Sequence, residues 1–276
     1  MGKGRVRIMF TVRNRLQMTK YTLEQLFRSV NFNNWELEIF LYDNLSEFDM
    51  EERAQYYGKL LRERWLTQVT FNTKGSTDNA FSKAAANNQF ADFHMNSLDK
   101  RSIRYLIMMD NDMLCLPGWL EQFDKAWKDV RSDPKLKKEI SIVTQHPGGV
   151  MGRKRFSING TEYTRGTSGG SGLWIVKNDF YDRIGKLNLA KLVGKNKAHD
   201  QHYWYRIQRK TGVYNYAVTV FCQKVLHLGG ICGSVCNSLH QNGGRNLHQV
   251  EKGFDQRIKG LTPEQVAEKY PKFFRW

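Results

Sequence analysis

The chain has 276 residues, of which 40% are hydrophobic and 13% aromatic, and this composition excludes an intrinsically disordered protein. Its longest apolar runs, such as Leu106 to Met109, have the length of strands, and a transmembrane helix would need roughly 20 apolar residues. The charge is strongly basic, with 43 Lys and Arg residues against 27 Asp and Glu residues and a net charge of +16.

The first half of the chain alternates predicted strands and helices. Near the N-terminus, alternation begins at Arg5 and indicates a strand instead of an apolar signal segment. The predicted elements, in chain order, are a strand from Arg5 to Val12, a helix near Thr19, a strand from Leu37 to Tyr42, a helix from Met50 to Arg64, a strand from Gln68 to Asn72, an alanine-rich helix after residues 75–79, a strand from Tyr105 to Met109 and a helix begun by Pro117. This order predicts an α/β fold with an open, mainly parallel sheet that has helices on both faces.

The second half is more mixed. Strands are predicted from Ser141 to Thr144, from Gly172 to Val176 and from Tyr214 to Phe221, with a long polar, glycine-rich and basic stretch between them. No internal repeat, low-complexity tract or linker interrupts the chain. We therefore expect a single domain over residues 1–276 with a mixed sheet.

Two carboxylates follow the apolar strand that ends at Met109. Asp110 and Asp112 are two residues apart, so in an extended chain their side chains lie on one side, while Asn111 lies on the other. The carboxyl ends of strands are where open α/β sheets bind ligands. Two such oxygen ligands suit Mg²⁺ or Mn²⁺, with a substrate diphosphate completing the coordination. A polar turn that caps the next helix is the alternative.

Short motifs follow the predicted strands in a fixed order. They are Thr11-Val12-Arg13-Asn14-Arg15, Tyr42-Asp43-Asn44-Leu45-Ser46, Asn79 through Asn87, Asp110-Asn111-Asp112, Gly169 through Trp174, His199-Asp200-Gln201 and His227-Leu228-Gly229-Gly230. Together they resemble the GT-A-fold glycosyltransferases of the large inverting group that uses nucleotide-diphosphate sugars. The resemblance covers about the first 230 residues. It departs from that group at His199, where an acid is usual, and at Val12-Arg13, where Pro-Thr-Tyr or similar is common.

The resemblance implies a GT-A (Rossmann-like) fold and a set of site residues. The nucleotide-sugar, with a UDP-sugar favoured, would contact Thr11, Arg13, Arg15, Asp43, Asn79, Lys83, Asp110 and Asn111. Mn²⁺ or Mg²⁺ would be held by Asp110, Asp112 and His227, and the acceptor would lie beside Gly170 and Trp174. Residues up to about 112 would form the nucleotide-sugar half, residues 113–245 the acceptor half, and residues 246–276 a helical tail.

The implied reaction is an in-line displacement that inverts the anomeric centre, with Asp200 as the base that takes the proton of the acceptor hydroxyl. A place in the first turn of a helix would keep Asp200 ionised, because the positive end of the helix dipole favours a carboxylate. An ordinary helix cap is the alternative role for this residue.

Four cysteines, Cys115, Cys222, Cys232 and Cys236, are too few for a disulfide scaffold, and we expect a reduced, cytoplasmic protein. Three of them lie with His227 and His240 within nineteen residues, a grouping that is compatible with zinc. Only the pair Cys232 and Cys236 has the spacing of a structural zinc site. Buried thiols beside a metal-binding histidine are the preferred interpretation, and zinc stays open.

The excess positive charge is confined to the second half. Residues 1–112 contain 16 basic and 14 acidic residues, whereas residues 113–276 contain 27 and 13. The basic segment Arg153-Lys154-Arg155, with Lys135, Lys137, Lys138 and Arg165 nearby, predicts contacts with phosphates, although a solvated basic loop is the alternative.

A polyanionic acceptor fits this charge best. DNA with a hydroxymethylated base is the leading candidate, as in the glycosyltransferases with which viruses of bacteria protect their genomes, and a duplex base would have to flip out of the stack. A glycan on a lipid carrier or a surface polysaccharide is the second candidate. A nucleic-acid-binding protein without catalysis is the third, and the complete set of Asp110, Asp112 and Asp200 argues against it.

Overall fold

The computed structural model of the chain describes residues 2–44, 46, 49–72, 83–111, 113–115, 117–134, 137, 140–144, 154–166, 173–176, 231–235, 240–241, 265 and 269. The strand predicted from Tyr214 to Phe221 lies outside these residues. Among the described residues, no helix is long and apolar enough to cross a membrane.

Four helices and eleven strands are described. The helices are α1 (Leu16–Ser29), α2 (Met50–Arg62), α3 (Lys83–Asn96) and α4 (Trp119–Ser132), and one turn of 3-10 helix covers Lys100–Ser102. The strands are β1 (Gly4–Val12), β2 (Trp35–Asn44), β3 (Gln68–Asn72), β4 (Ile103–Asp110), β5 (Met113–Leu114), β6 (Ile140–Thr144), β7 (Lys154–Ile158), β8 (Thr161–Gly166), β9 (Leu173–Val176), β10 (Ile231–Val235) and β11 (His240–Gln241). Each strand and helix predicted within the described residues is present, with its ends shifted by a few residues.

Nine of these strands form one sheet in the order β3-β2-β1-β4-β9-β6-β10-β8-β7. The first four strands of this order are parallel, as short right-handed strand–helix–strand units require. Strand β9 then pairs antiparallel with both β4 and β6, and the β7–β8 hairpin pairs antiparallel with β10. The prediction of an open mixed α/β sheet is therefore confirmed.

The central strands are buried because helices cover both of their faces. On one face, Val6, Ile8 and Phe10 of β1 belong to a core that also contains buried side chains of α1, α2 and α4. On the other face, Phe40 of β2 packs against the rings of α3, with its centroid 4.1 Å from that of Phe93. The alternation of β1 therefore separates two helical layers, and its carboxyl end emerges between them.

The β7–β8 hairpin was not predicted, and it lies within the stretch that looked irregular. Its turn is Asn159-Gly160, and both residues have left-handed backbones, with φ of 49° and 74°. The Asn159 side-chain amide donates to Asp129 Oδ1 over 2.8 Å, which fixes the turn to the last part of α4.

Candidate functional site

The strand order reverses between β1 and β4, and polar side chains meet at this point. The chain passes from β1 outward to β2 and β3 and then returns to place β4 on the other side of β1. Such a switch point opens a crevice at the carboxyl ends of the strands. Thr11 pairs with Asp110 in the register of β1 and β4, and its hydroxyl donates to Asp110 Oδ1 over 2.8 Å. The half-buried Asp110 carboxylate is thus held in one orientation at the crevice.

The turn after Asp110 is fastened to helix α1. Asn111 is 3% exposed, and its side-chain amide donates to the hydroxyl oxygen of Thr19 over 3.0 Å. The Asn111 carbonyl accepts from the Thr22 hydroxyl over 2.8 Å. The predicted contact between Asn111 and a donor stays a prediction, and the described contacts give this side chain a supporting role under the turn.

Asp43 lies one strand away, near the end of β2, and pairs with Val12 in the register of β1. It is 1% exposed, and its Oδ2 accepts from Arg53 Nη1 over 3.2 Å and from the Tyr57 hydroxyl over 3.3 Å. Burial, and secondly the negative Asp43, raise the pKa of Tyr57, so this hydroxyl stays protonated and donates. Arg53 and Tyr57 were missed in the sequence because a helix position does not show which strand residue it will contact.

The loop from β1 to α1 borders the same crevice. Arg13 is exposed, and Asn14 and Arg15 both have left-handed backbones with φ of 52°. The Asn14 N–H donates to the hydroxyl of Ser46 over 2.8 Å, which links this loop to the segment that follows β2. Helix α1 then begins at Leu16 with no acidic residue in its first turn. Its positive end and the two arginines make this border favourable to an anion.

For several other predicted site residues, the structure describes the position of the backbone. Lys83 is the first residue of α3, and Trp174 lies on β9 opposite Met108. Lys154 and Arg155 lie on β7, the edge strand, and are not brought together with Asp110. The turn of that hairpin contacts Asp129 near the end of α4. Asp129 is about 15 Å along the helix from its first residue, Trp119. Asn79, Asp112, Arg153, Gly170, Asp200 and His227 lie outside the described residues.

One histidine outside the seven motifs, His240, lies on a strand that pairs with the segment following Asp110 and Asp112 in the sequence. His240 in β11 pairs with Leu114 in β5, two residues after Asp112. This pairing joins segments that are more than 120 residues apart, so no local pattern predicts it. Within the described part of the chain, no three His, Cys, Asp or Glu side chains are grouped closely enough to hold a metal ion.

This chain is similar to known proteins in its structure and not in its sequence. The sequence matches no protein-family model and no curated protein. A crystal structure of GalNAc-T7 with UDP, GalNAc and Mn²⁺ aligns with a TM-score of 0.54 and 11% identity, over 85% of this chain and 43% of that one. The crystal structure of TarS from S. aureus aligns with a TM-score of 0.51 and 8% identity, over 95% of this chain and 43% of that one.

The chain therefore spans less than half the length of either structure. The chain has the GT-A fold of these glycosyltransferases.

Proposed function

We propose that this chain is a metal-dependent inverting glycosyltransferase that moves a sugar from a nucleotide-diphosphate donor to a hydroxyl of a polyanion, with hydroxymethylated bases in DNA as the acceptor. The contact between Thr11 and Asp110 at the switch point carries the proposal. It places an oriented carboxylate where α/β sheets bind nucleotides, with Asp43 one strand away. A shared fold does not determine activity, so these residues are the argument.

Asp43 is suited to recognise the nucleobase. Its Oδ2 is engaged by Arg53 and Tyr57, and its Oδ1 has no hydrogen-bond partner among the described residues. A single acceptor oxygen matches the single imide N–H of uracil or thymine. Guanine offers two adjacent donors and would be served best by both carboxylate oxygens. This chemistry supports a UDP- or TDP-sugar as the donor.

The diphosphate would lie between the α1 end of the crevice and Asp110. GalNAc-T7 was crystallised with UDP and Mn²⁺. The Asp110 carboxylate is a hard oxygen ligand, so the chemistry present fits Mn²⁺ or Mg²⁺. Asp110, Asp112 and His227 would hold the ion, and when bound it supplies positive charge that stabilises the leaving diphosphate. Thr11 keeps Asp110 oriented, and Arg13 and Arg15 add positive charge at the edge of the crevice.

His240 is a second candidate for the histidine ligand. Its backbone is fixed beside Leu114 in the β5–β11 pair, immediately after the segment that contains the two carboxylates. A comparison of His227→Ala and His240→Ala for Mn²⁺ affinity would decide between the two. The variant that removes the true metal ligand should bind Mn²⁺ at least about tenfold more weakly. Even the loss of a residue that only hydrogen-bonds to a metal ligand has an effect of this size.

On the acceptor side, we propose that Asp200 takes the proton from the attacking hydroxyl and that Gly170 and Trp174 border the acceptor. Arg153, Lys154 and Arg155 would contact phosphates away from the reacting base. The β7 position of two of these residues supports a polymeric acceptor, because a small glycan at Asp110 would not extend to the edge strand. The net charge of +16 supports a polyanion.

The test is nucleotide release from UDP-, GDP- and TDP-sugars with Mn²⁺, with and without hydroxymethylated DNA. We expect release from a UDP- or TDP-sugar that needs Mn²⁺ and rises with this DNA. Asp112→Ala should abolish release, and Asp200→Asn should abolish transfer while retaining donor binding. Glu51→Gln, an exposed change on α2, is the control and should behave as the native chain does.

The outcomes separate the alternatives. Metal-dependent release that this DNA does not change would retain the transferase and replace DNA by a glycan acceptor. The absence of release with every donor would contradict the proposal and favour a nucleic-acid-binding protein without catalysis.

A further inference from the structure

A groove lies at the opposite end of the sheet from the crevice, at the amino ends of β1 and β2. It has a volume of about 260 Å³. Its lining consists of Lys3, Phe27, Phe32, Trp35, Glu36, Leu37, Arg64 and Trp65. None of these residues belongs to the proposed transferase site.

Aromatic rings form the groove and remain open to solvent. The Trp65 ring lies 4.6 Å from that of Phe27 and 5.8 Å, edge to face, from that of Phe32. Trp65 is 38% exposed and Phe32 is 36% exposed. These two large rings lie side by side, and each leaves more than a third of its surface in water, so they form an exposed apolar patch.

The charge of the groove is positive. Lys3 and Arg64 line it, and neither has an ion-pair partner among the described residues. Its one acidic residue, Glu36, is bound to Arg5, with 3.4 Å between Arg5 Nε and Glu36 Oε2. The groove therefore offers two cations to an anionic ligand, although this half of the chain is nearly neutral.

The backbone of Arg64 gives an independent reason to expect a ligand. The Trp65 N–H donates to the Leu60 carbonyl over 2.9 Å, and the Arg64 N–H donates to the Leu61 carbonyl over 3.1 Å. These two bonds define a Schellman motif at the end of α2, with Arg64 at the left-handed position that glycine usually occupies. Arg64 has φ of 62° there and carries a cost that glycine would avoid. A need for the positive side chain of Arg64 beside Trp65, to bind an anionic ligand, would explain why arginine occupies this position.

We propose that this groove binds nucleotides of an unpaired nucleic-acid strand, with a base stacked on Trp65 and Phe32 and backbone phosphates at Lys3 and Arg64. Aromatic stacking beside basic residues is how proteins bind single strands without reading sequence. A neutral glycan fits less well, because it carries no charge to compensate the two cations that line the groove. This site is separate from the proposed transferase site, and its binding needs no sugar nucleotide.

The test is equilibrium binding of a fluorescein-labelled oligo(dT) 20-mer to the full chain, followed by anisotropy over a series of salt concentrations. Trp65→Ala should weaken binding at least about fivefold. Arg64→Gly should also weaken it and should lower the slope of log K against log salt by about 1. The thermal midpoint of Arg64→Gly should be equal to or higher than that of the native chain, because glycine relieves the left-handed backbone.

The controls lie on the same helix end but outside the groove. Leu61→Ala removes an exposed apolar side chain, and Arg62→Ala removes the same charge as Arg64→Gly. Both should bind the oligonucleotide as the native chain does. Photocrosslinking of a 5-iodouracil oligonucleotide should mark the peptide that contains Trp65.

Equal weakening by Arg62→Ala and Arg64→Gly would show an effect of net charge and overturn the proposal. Native affinity in Trp65→Ala, or crosslinks confined to other peptides, would overturn it too. If Trp65→Ala instead loses binding to a neutral oligosaccharide, the groove is a glycan site. Asp112→Ala should leave oligonucleotide binding intact, so failure of the transferase proposal remains distinguishable from failure of this one.

Discussion

Asp43 shows how much of the proposed chemistry depends on a single buried side chain. It is 1% exposed, and its charge is compensated by Arg53, which is 0% exposed. Two charges removed from water are tolerated only when they compensate each other. Tyr57 completes the group by donating to the same carboxylate oxygen. The result is a fixed acceptor oxygen near the end of β2.

Removal of Arg53 should therefore be far more damaging than removal of the Tyr57 hydroxyl. Arg53→Met leaves Asp43 buried without its counter-charge, and we expect the free energy of unfolding to fall by about 3–5 kcal/mol. Tyr57→Phe deletes one hydrogen bond and should cost about 1 kcal/mol. Urea unfolding of both variants checks this. A loss in Arg53→Met no greater than that in Tyr57→Phe would show that the ion pair is unimportant for stability.

Asp43→Asn should change base selectivity. The amide can turn its NH₂ group toward the base and donate to N3 of cytosine, which a carboxylate cannot do. We expect the affinity for CDP relative to UDP to rise at least about tenfold, a difference of about 1.4 kcal/mol. Competition binding in the presence of Mn²⁺ measures this ratio, which is independent of any general loss of stability. An unchanged ratio would remove Asp43 from base recognition.

At the scale of elements, a buried arginine joins β1, β2 and the end of α3. Arg7 is 1% exposed and donates to Glu38 Oε2 over 2.7 Å, to His94 Nδ1 over 3.0 Å and to Asp99 Oδ1 over 3.1 Å. Because arginine only donates, His94 must accept at Nδ1, which makes its imidazole neutral with the proton on Nε2. The Ser97 hydroxyl, and then Arg7 and Arg5, lower the pKa of Asp99 to about 2.

This network should make stability depend on pH in the acid range. A carboxyl whose folded pKa is depressed contributes stability above its unfolded pKa of about 4, and the contribution is lost as the pH falls toward about 2. Because the Asp99 side chain is 40% exposed, solvent screening limits the contribution to about 1 kcal/mol.

Asp99→Asn should therefore be less stable than the native chain at pH 6 and should lose less stability between pH 4 and pH 2. Urea unfolding at several pH values measures the difference. Glu51→Gln controls for the loss of one negative charge. Parallel pH curves for Asp99→Asn and the native chain would contradict this account.

Apolar periodicity predicted the regular elements well but did not reveal the hairpin. In α4, Leu120, Phe123 and Trp127 recur at helical spacing in the sequence, and all three are buried. In the β7–β8 hairpin, cationic residues mask the alternation, and the basic stretch was interpreted as an irregular track for phosphates. The Asn159-Gly160 pair, a typical hairpin turn, was the available signal.

At the site, local sequence patterns indicate some of the residues and not the contacts between them. Asp110 follows from the rule that ligands lie at strand ends, and Thr11 and Asp43 follow from the family resemblance. The structure brings all three to neighbouring strands. The roles assigned to them stay predictions. Arg53 and Tyr57 were not foreseen, because contacts between a helix and a strand depend on packing that no local pattern encodes. The pairing of His240 with Leu114 depends in the same way on the path of the whole chain.

At the scale of the whole molecule, one sheet carries the proposed donor site and the proposed strand-binding groove at opposite ends. Strand β1 leads from Gly4, beside the groove, to Thr11 at the crevice, a distance of about 23 Å. Gly4 is needed at the groove end, because a Cβ there would lie 2.6 Å from the Trp35 ring that lines the groove. A nucleic acid bound at both ends would have to follow the surface over at least this distance.

The most direct test of the proposed donor site is calorimetric binding of UDP to the full chain with Mn²⁺ and with EDTA. We expect binding that weakens at least about tenfold in EDTA and is lost in Asp110→Ala, with native affinity in Glu51→Gln. Failure of every nucleoside diphosphate to bind in the presence of Mn²⁺, or native affinity in Asp110→Ala, would contradict the account.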